Sequence, residues 1–223
     1  MLFLPFFLLL SRFLFICIMP KKEPKEIIDP SDALFLIEKV PTHVTFMIAR
    51  ASAIEQYAGV EHALCRLCAH LMKVPVETAG TLFFRMNNAR ARMQAIGKLV
   101  RKNHGTTYNL FWNSLSNEVQ AIDQRRNLIV HWTTKKTATS KGESWSSLIG
   151  QNQAENTETA EELFLDDLYA FILKCDFFYH IINHFFWVVS GSPKKIDPSW
   201  PQICQQPIIY PPPQTHPLFR KWK

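Results

Sequence analysis

The chain has 223 residues, of which 47% are apolar, with 17 Phe, 6 Trp, only 7 Gly and a formal charge of +6. That is room for one domain of ordinary size with extra segments at its ends, and for a bulky core. Five cysteines, an odd number scattered along the chain, argue against a disulfide framework and fit a reducing compartment, while a pI near 9.1 permits a polyanionic partner without demanding one.

Residues 1–19 are almost wholly apolar and are followed by Lys21, Lys22 and Lys25. Their length suits a membrane anchor, but Arg12 near the centre would cost about 2.5–3.5 kcal/mol on insertion scales. A signal peptide fits worse, because there is no basic leading region and no small-residue cleavage site. The reading adopted is a start at Met19 and a cytoplasmic protein; a membrane tether through residues 1–19 is the alternative. Residues 20–41 are a charged, proline-punctuated lead-in.

The first long helix is expected to start near Thr42, behind Pro41. Met47, Ala51, Ile54, Ala58, Leu64, Leu67 and Leu71 recur mostly at three- and four-residue spacing and predict its buried stripe. A second helical stretch covers about 76–103, with Gly80 or Asn87-Asn88 as places where it could split and Gly105 as its stop. A third helix is predicted over about 107–132. Residues 133–157 lack periodicity and read as a long loop with room for a short hairpin. Thr159-x-x-Glu162 reads as a capping box that opens a fourth helix. Its apolar positions run from Leu165 to Val189, and its second half should be buried all round. Ser190-Gly191-Ser192-Pro193 closes it, and residues 191–223, with Pro211-Pro212-Pro213, read as an extended arm. The fold class expected is all-α, an antiparallel bundle of four to five helices over residues 42–190.

On an ideal third helix, Phe111, Leu115, Val119, Ile122 and Ile129 line one side, while Asn113, Gln120, Asp123, Asn127 and His131 line the other. Arg126 breaks the pattern by falling among the apolar positions. It must find an acceptor there, and Asp123, one turn back, is the expected structural partner. From Arg85 to Lys136 there are ten Lys/Arg against Glu118 and Asp123, whereas Glu155 to Asp176 holds seven acids against Lys174. Both blocks read equally well as solvated helix faces.

The run Arg126-Asn127-Leu128-Ile129-Val130-His131 resembles the R-x(4–6)-H signature of HEPN domains, which are helical bundles, many of them metal-independent endoribonucleases that act as dimers. The resemblance implies Arg126, Asn127 and His131 as catalytic residues, with no cofactor and no metal. His131 would move a proton, Arg126 would hold the phosphate, and Asn127 would orient the histidine or touch substrate. Arg125, Arg90 and Arg92 are expected to bind substrate in a positive cleft. RNA is the implied partner, with a homodimer as the working form. A toxin or defence role, with an antitoxin protein as partner, also follows from the resemblance, and a non-catalytic module binding protein or nucleic acid is the alternative. Arg126 and His131 lie about 140° apart on a straight helix, so a dimer interface, a kink or the reach of arginine must join them. Two metal-like spacings are set aside. His62, Cys65, Cys68 and His70 point around one helix, and His180-x-x-x-His184 lacks the zincin glutamate.

Overall fold

A computed structural model describes residues 42–138, 144–150, 161–191 and 197–219; the expectations for residues 1–19 and 20–41 lie outside them. The described chain is mostly α-helical. In order it forms α1 (Thr42–Met72), α2 (Val76–Phe83), α3 (Ala89–His104), α4 (Asn109–His131), β1 (Thr133–Ala138), β2 (Ser144–Ile149), β3 (Glu162–Leu163), α5 (Leu165–Val189) and the short α6 (Trp200–Ile203).

The core stripe of α1 is Phe46, Ala49, Ala53, Tyr57, Val60, Leu64, Leu67 and Leu71, all buried. Only the last three of these belong to the expected stripe. Met47 is 48% exposed and Ala51 is also exposed, while Ile54 and Ala58 are half-buried. Two adjacent faces of this helix repeat at helical spacing. The bulky Phe46 and Tyr57, with small Ala49 and Ala53 between them, decide which one turns inward.

The second stretch does split, at residues 84–88. Asn88 caps α3 by accepting from the amide of Ala91 at 2.8 Å, and Gly105, at φ +62°, ends it. The split sets the topology. Short α2 runs back along α1, placing Gly80 beside Cys65 and Phe84 beside His62. α3 then runs in the same direction as α1, with Arg92 at Glu61 and Asn103 at Leu71. α4 returns, with Tyr57 at Asp123 and Arg50 at Ile129. α5 runs with α1, with Gly59 facing Tyr179 and Arg66 facing Asn183. The long helices α1, α3 and α5 therefore share one direction and α4 opposes them, rather than alternating strictly.

The stripe expected on α4 is confirmed: Phe111, Leu115, Val119, Ile122 and Ile129 are all buried. The all-round burial expected of late α5 is met in part: no residue from Lys174 to Ser190 is exposed, but Phe186 to Ser190 are half-buried. Helix α4 approaches α3 closely at Gly97, where a β-carbon would lie 2.5 Å from Trp112 Nε1.

Three features differ from expectation. After α4, the hairpin that the loop had room for is formed by β1 and β2, with Thr133 opposite Ile149, and β3, which was not expected, extends it to a three-stranded antiparallel sheet in the order β1-β2-β3, with Leu148 opposite Leu163. Its Thr-rich first strand carries no apolar alternation, which hid it, yet Leu148 and Leu163 join the core. The capping box does not open α5: Thr159 lies outside the described residues and Glu162 belongs to β3. Asp167 Oδ2 does the capping instead, accepting from the amide of Phe164 at 2.8 Å. Finally, the described part of the tail folds back. Trp200, Cys204 and Leu218 are buried, and the Trp200 ring stacks on His184 at 4.0 Å. Burying those apolar side chains outweighs the extended preference of the prolines.

Candidate functional site

Arg126 sits on the core side of α4 and is half-buried against α1. Its guanidinium carbon lies 5.4 Å from the centre of the Tyr57 ring, a cation–π contact. Its Nη1 donates to Asn127 Oδ1 at 3.0 Å, while its Nε is buried with no acceptor among the described residues. The expected ion pair with Asp123 is not formed. Asp123 Oδ1 accepts from the Tyr57 hydroxyl at 2.5 Å, so the carboxylate is taken from across the helix contact. Burial, followed by that hydrogen bond, pushes the Tyr57 pKa far above its ordinary value, so the phenol stays protonated and remains the donor.

The hydrogen bond to Asn127 matters for geometry. Asn127 is on the polar face of α4, one turn before His131. Arg126 stays over Tyr57 on the core side, and the bond ties its guanidinium to the side chain that neighbours it on the His131 side of the helix. His131, the last residue of α4, is exposed, whereas Asn127 is half-buried.

The end of α4 is held from α1. Arg50 donates through Nε to the carbonyl of Ile129 at 2.9 Å and through Nη2 to those of Val130 at 3.0 Å and Trp132 at 2.9 Å. Its Nη1 reaches Thr134 Oγ1 at 3.3 Å. One fork therefore satisfies carbonyls that the end of a helix leaves orphaned, and fixes the turn bearing His131. Neither Arg50 nor Tyr57 was identified from the sequence. Each lies on α1 more than sixty residues from its partner, and the one available signal was a polar atom within an apolar stripe.

The expected substrate-binding arginines divide. Arg90 is exposed at the start of α3. Arg92 is engaged: it pairs with Glu61, donates through Nε to the carbonyl of Met86 at 3.2 Å and lies 5.3 Å over Phe83. Arg125 pairs with Glu161 at 2.8 Å and with Asp167 at 3.2 Å. Lys135 pairs with Glu162 at 2.8 Å. Arg125 and Lys135, on either side of the motif, are thus paired with acids of the 155–176 block, and two of the three arginines expected to bind substrate carry a counter-charge within the chain.

No family model, curated protein or solved structure matches the chain. Among the described residues, no helix is long and apolar enough to cross a membrane.

Proposed function

We propose that this chain is an RNA-binding protein of HEPN type that cleaves RNA without a metal, at a site shared between two copies. The observation that carries the reading is the placement of Arg126. A cation is held over Tyr57 and hydrogen-bonded to Asn127, with no carboxylate paired to it among the described residues, five positions before an exposed histidine. That combination suits a phosphate oxyanion beside a proton carrier.

The chemistry balances within the substrate. His131 removes the proton from a ribose 2′-hydroxyl, and that oxygen attacks the adjacent phosphorus. A 2′,3′-cyclic phosphate forms as the bond to the 5′-oxygen breaks. The 5′-oxygen leaves with the proton given up by the imidazolium that His131 has become, and Arg126 carries the charge that builds on the phosphoryl oxygens. A two-fold dimer would bring Arg126 of one protomer to His131 of its partner and supply the convergence that one helix lacks. A toxin or defence component, restrained by an antitoxin protein, is the role this activity would fit.

The pairing of Arg92 and Arg125 inside the chain favours a second reading, a helical module that binds RNA or protein without cutting. Incubating the purified protein with mixed RNA in EDTA separates the two. Cleavage that His131→Ala abolishes supports the ribonuclease. Cleavage only after metal is added contradicts it, and binding without cleavage supports the module.

A further inference from the structure

At the other end of the bundle from His131, α1 carries a second cation without a counter-charge. Arg66 is half-buried, donates through Nη2 to Asn183 Oδ1 and lies 4.9 Å over the Phe186 ring. Its Nε is buried with no acceptor, and no carboxylate pairs with it among the described residues. One turn on, the His70 ring meets the edge of the same Phe186 at 5.3 Å. His104, at the end of α3, packs its ring against Tyr108 at 5.6 Å, and burial followed by the charge of His70 lowers its pKa from the ordinary value. Asn103 Nδ2 donates to the carbonyl of Leu71 at 2.8 Å and locks the two helix ends together. Lys73, Arg101 and Lys102 are exposed on those same ends. Glu77, at the start of α2, is the single acidic residue between Glu61 and Glu118, and on α5 Asp176 is engaged by His180 at 3.5 Å.

Basic residues in a last helical turn complement the helix dipole, which accounts for His70, Arg101, Lys102 and His104. It does not account for Arg66, which lies more than a turn before the end of α1. Partial burial of a cation with only an amide acceptor is costly unless an anion completes it.

We propose that Arg66, His70 and His104, rimmed by Arg101 and Lys102, form a second site that takes a phosphate group, separate from the Arg126–His131 motif. The planar fork of arginine matches phosphate oxygens, two imidazoles add donors, and the scarcity of carboxylates favours a multiply charged oxyanion. Tyr57, under Arg126, and Arg66 are nine residues apart on one helix, and Arg50 and His70 twenty, so the two sites are separated by about 14 Å at their nearest residues and about 30 Å at their farthest. The phosphate could come from an RNA backbone or from a free phosphate, and the site stands whether or not the motif cleaves RNA.

Thermal melts of the full chain in inorganic phosphate, against chloride at matched ionic strength, test the site. Phosphate should raise Tm by about 3 °C or more in wild type and in Arg126→Leu. Arg66→Met should lose that increment while melting no lower than wild type in chloride, because it removes an uncompensated cation. His70→Gln is the second variant and should diminish the increment should Arg66→Met fold poorly. Anisotropy with a short oligoribonucleotide identifies the source. Weakening by about tenfold in Arg66→Met, with competition by phosphate, marks an RNA backbone; unchanged RNA affinity with the phosphate increment intact in wild type marks a free phosphate. An equal phosphate response in wild type, Arg66→Met and His70→Gln would overturn the proposal, as would no response in wild type.

Discussion

The Tyr57 hydroxyl donates to Asp123 at 2.5 Å across the contact between α1 and α4, and so occupies the carboxylate one turn from Arg126. Arg126 is left with the Tyr57 ring and the Asn127 amide as its polar surroundings. A structural bond thereby keeps a cation unneutralised. Tyr57→Phe removes the donor and should cost about 1–3 kcal/mol of stability. It also frees Asp123 to take Arg126, so RNA affinity should fall further than the lost stability explains. Denaturant titration and RNA binding measured on the same preparations check this. Unchanged stability would show that the bond is idle.

Arg126 itself separates stability from function. Its Nε is buried without an acceptor, so Arg126→Leu should shift stability by less than about 1 kcal/mol in either direction. The same variant should lose RNA cleavage. Melts alongside the assay decide it, and a well-folded Leu variant that still cleaves RNA removes Arg126 from the site.

Arg50→Lys should destabilise by about 2 kcal/mol, since an ammonium cannot reproduce a fork that serves the carbonyls of Ile129, Val130 and Trp132 together. Hydrogen exchange should show faster opening at the last turn of α4, ahead of the rest of that helix. Uniform protection along α4 in the variant would mean that the cap contributes nothing local.

Gly97→Ala places a β-carbon 2.5 Å from Trp112 Nε1 and should cost about 1–3 kcal/mol through overpacking between α3 and α4. Combining it with Trp112→Phe should return part of the loss, which a double-mutant cycle measures. Strict additivity would show that the two positions do not press on each other.

Hydrogen bonds from Lys135 and then Ser147 hold the Glu162 carboxyl below its ordinary range. A depressed folded-state pKa contributes stability that is present above the unfolded value, about 4.3, and is lost as pH falls through the folded one. Glu162→Gln should therefore melt below wild type at neutral pH, with the two curves converging in acid. A constant gap across pH would assign the difference to packing alone.

The parts of the fold legible in the sequence were those set by local chemistry. Phe111 to Ile129 keep one unambiguous helical period, Asn87-Asn88 marks a place where the second stretch splits, and Gly105 takes the positive φ that ends α3. Choices between near-equal local readings were not legible. Met47-Ala51-Ile54 and Phe46-Ala53-Tyr57 both repeat helically, and only packing partners chose between them. The strands around Lys135 and Ser147 have no apolar alternation, and the prolines near Trp200 disguised a segment with core residues. At the candidate site the sequence marked Arg126, Asn127 and His131. It did not show that Asp123 belongs to Tyr57, nor that Arg125 belongs to Glu161 and Asp167, because each pair joins elements distant along the chain.

The composite site is tested most directly by mixing two inactive variants. Arg126→Leu and His131→Ala homodimers, exchanged until native mass spectrometry shows heterodimers, should regain RNA cleavage in EDTA. Half of a random mixture is heterodimeric, with one intact site of two, so about a quarter of wild-type activity is expected. Demonstrated exchange with no recovery, or a strict monomer with and without RNA, would contradict a site shared between two copies.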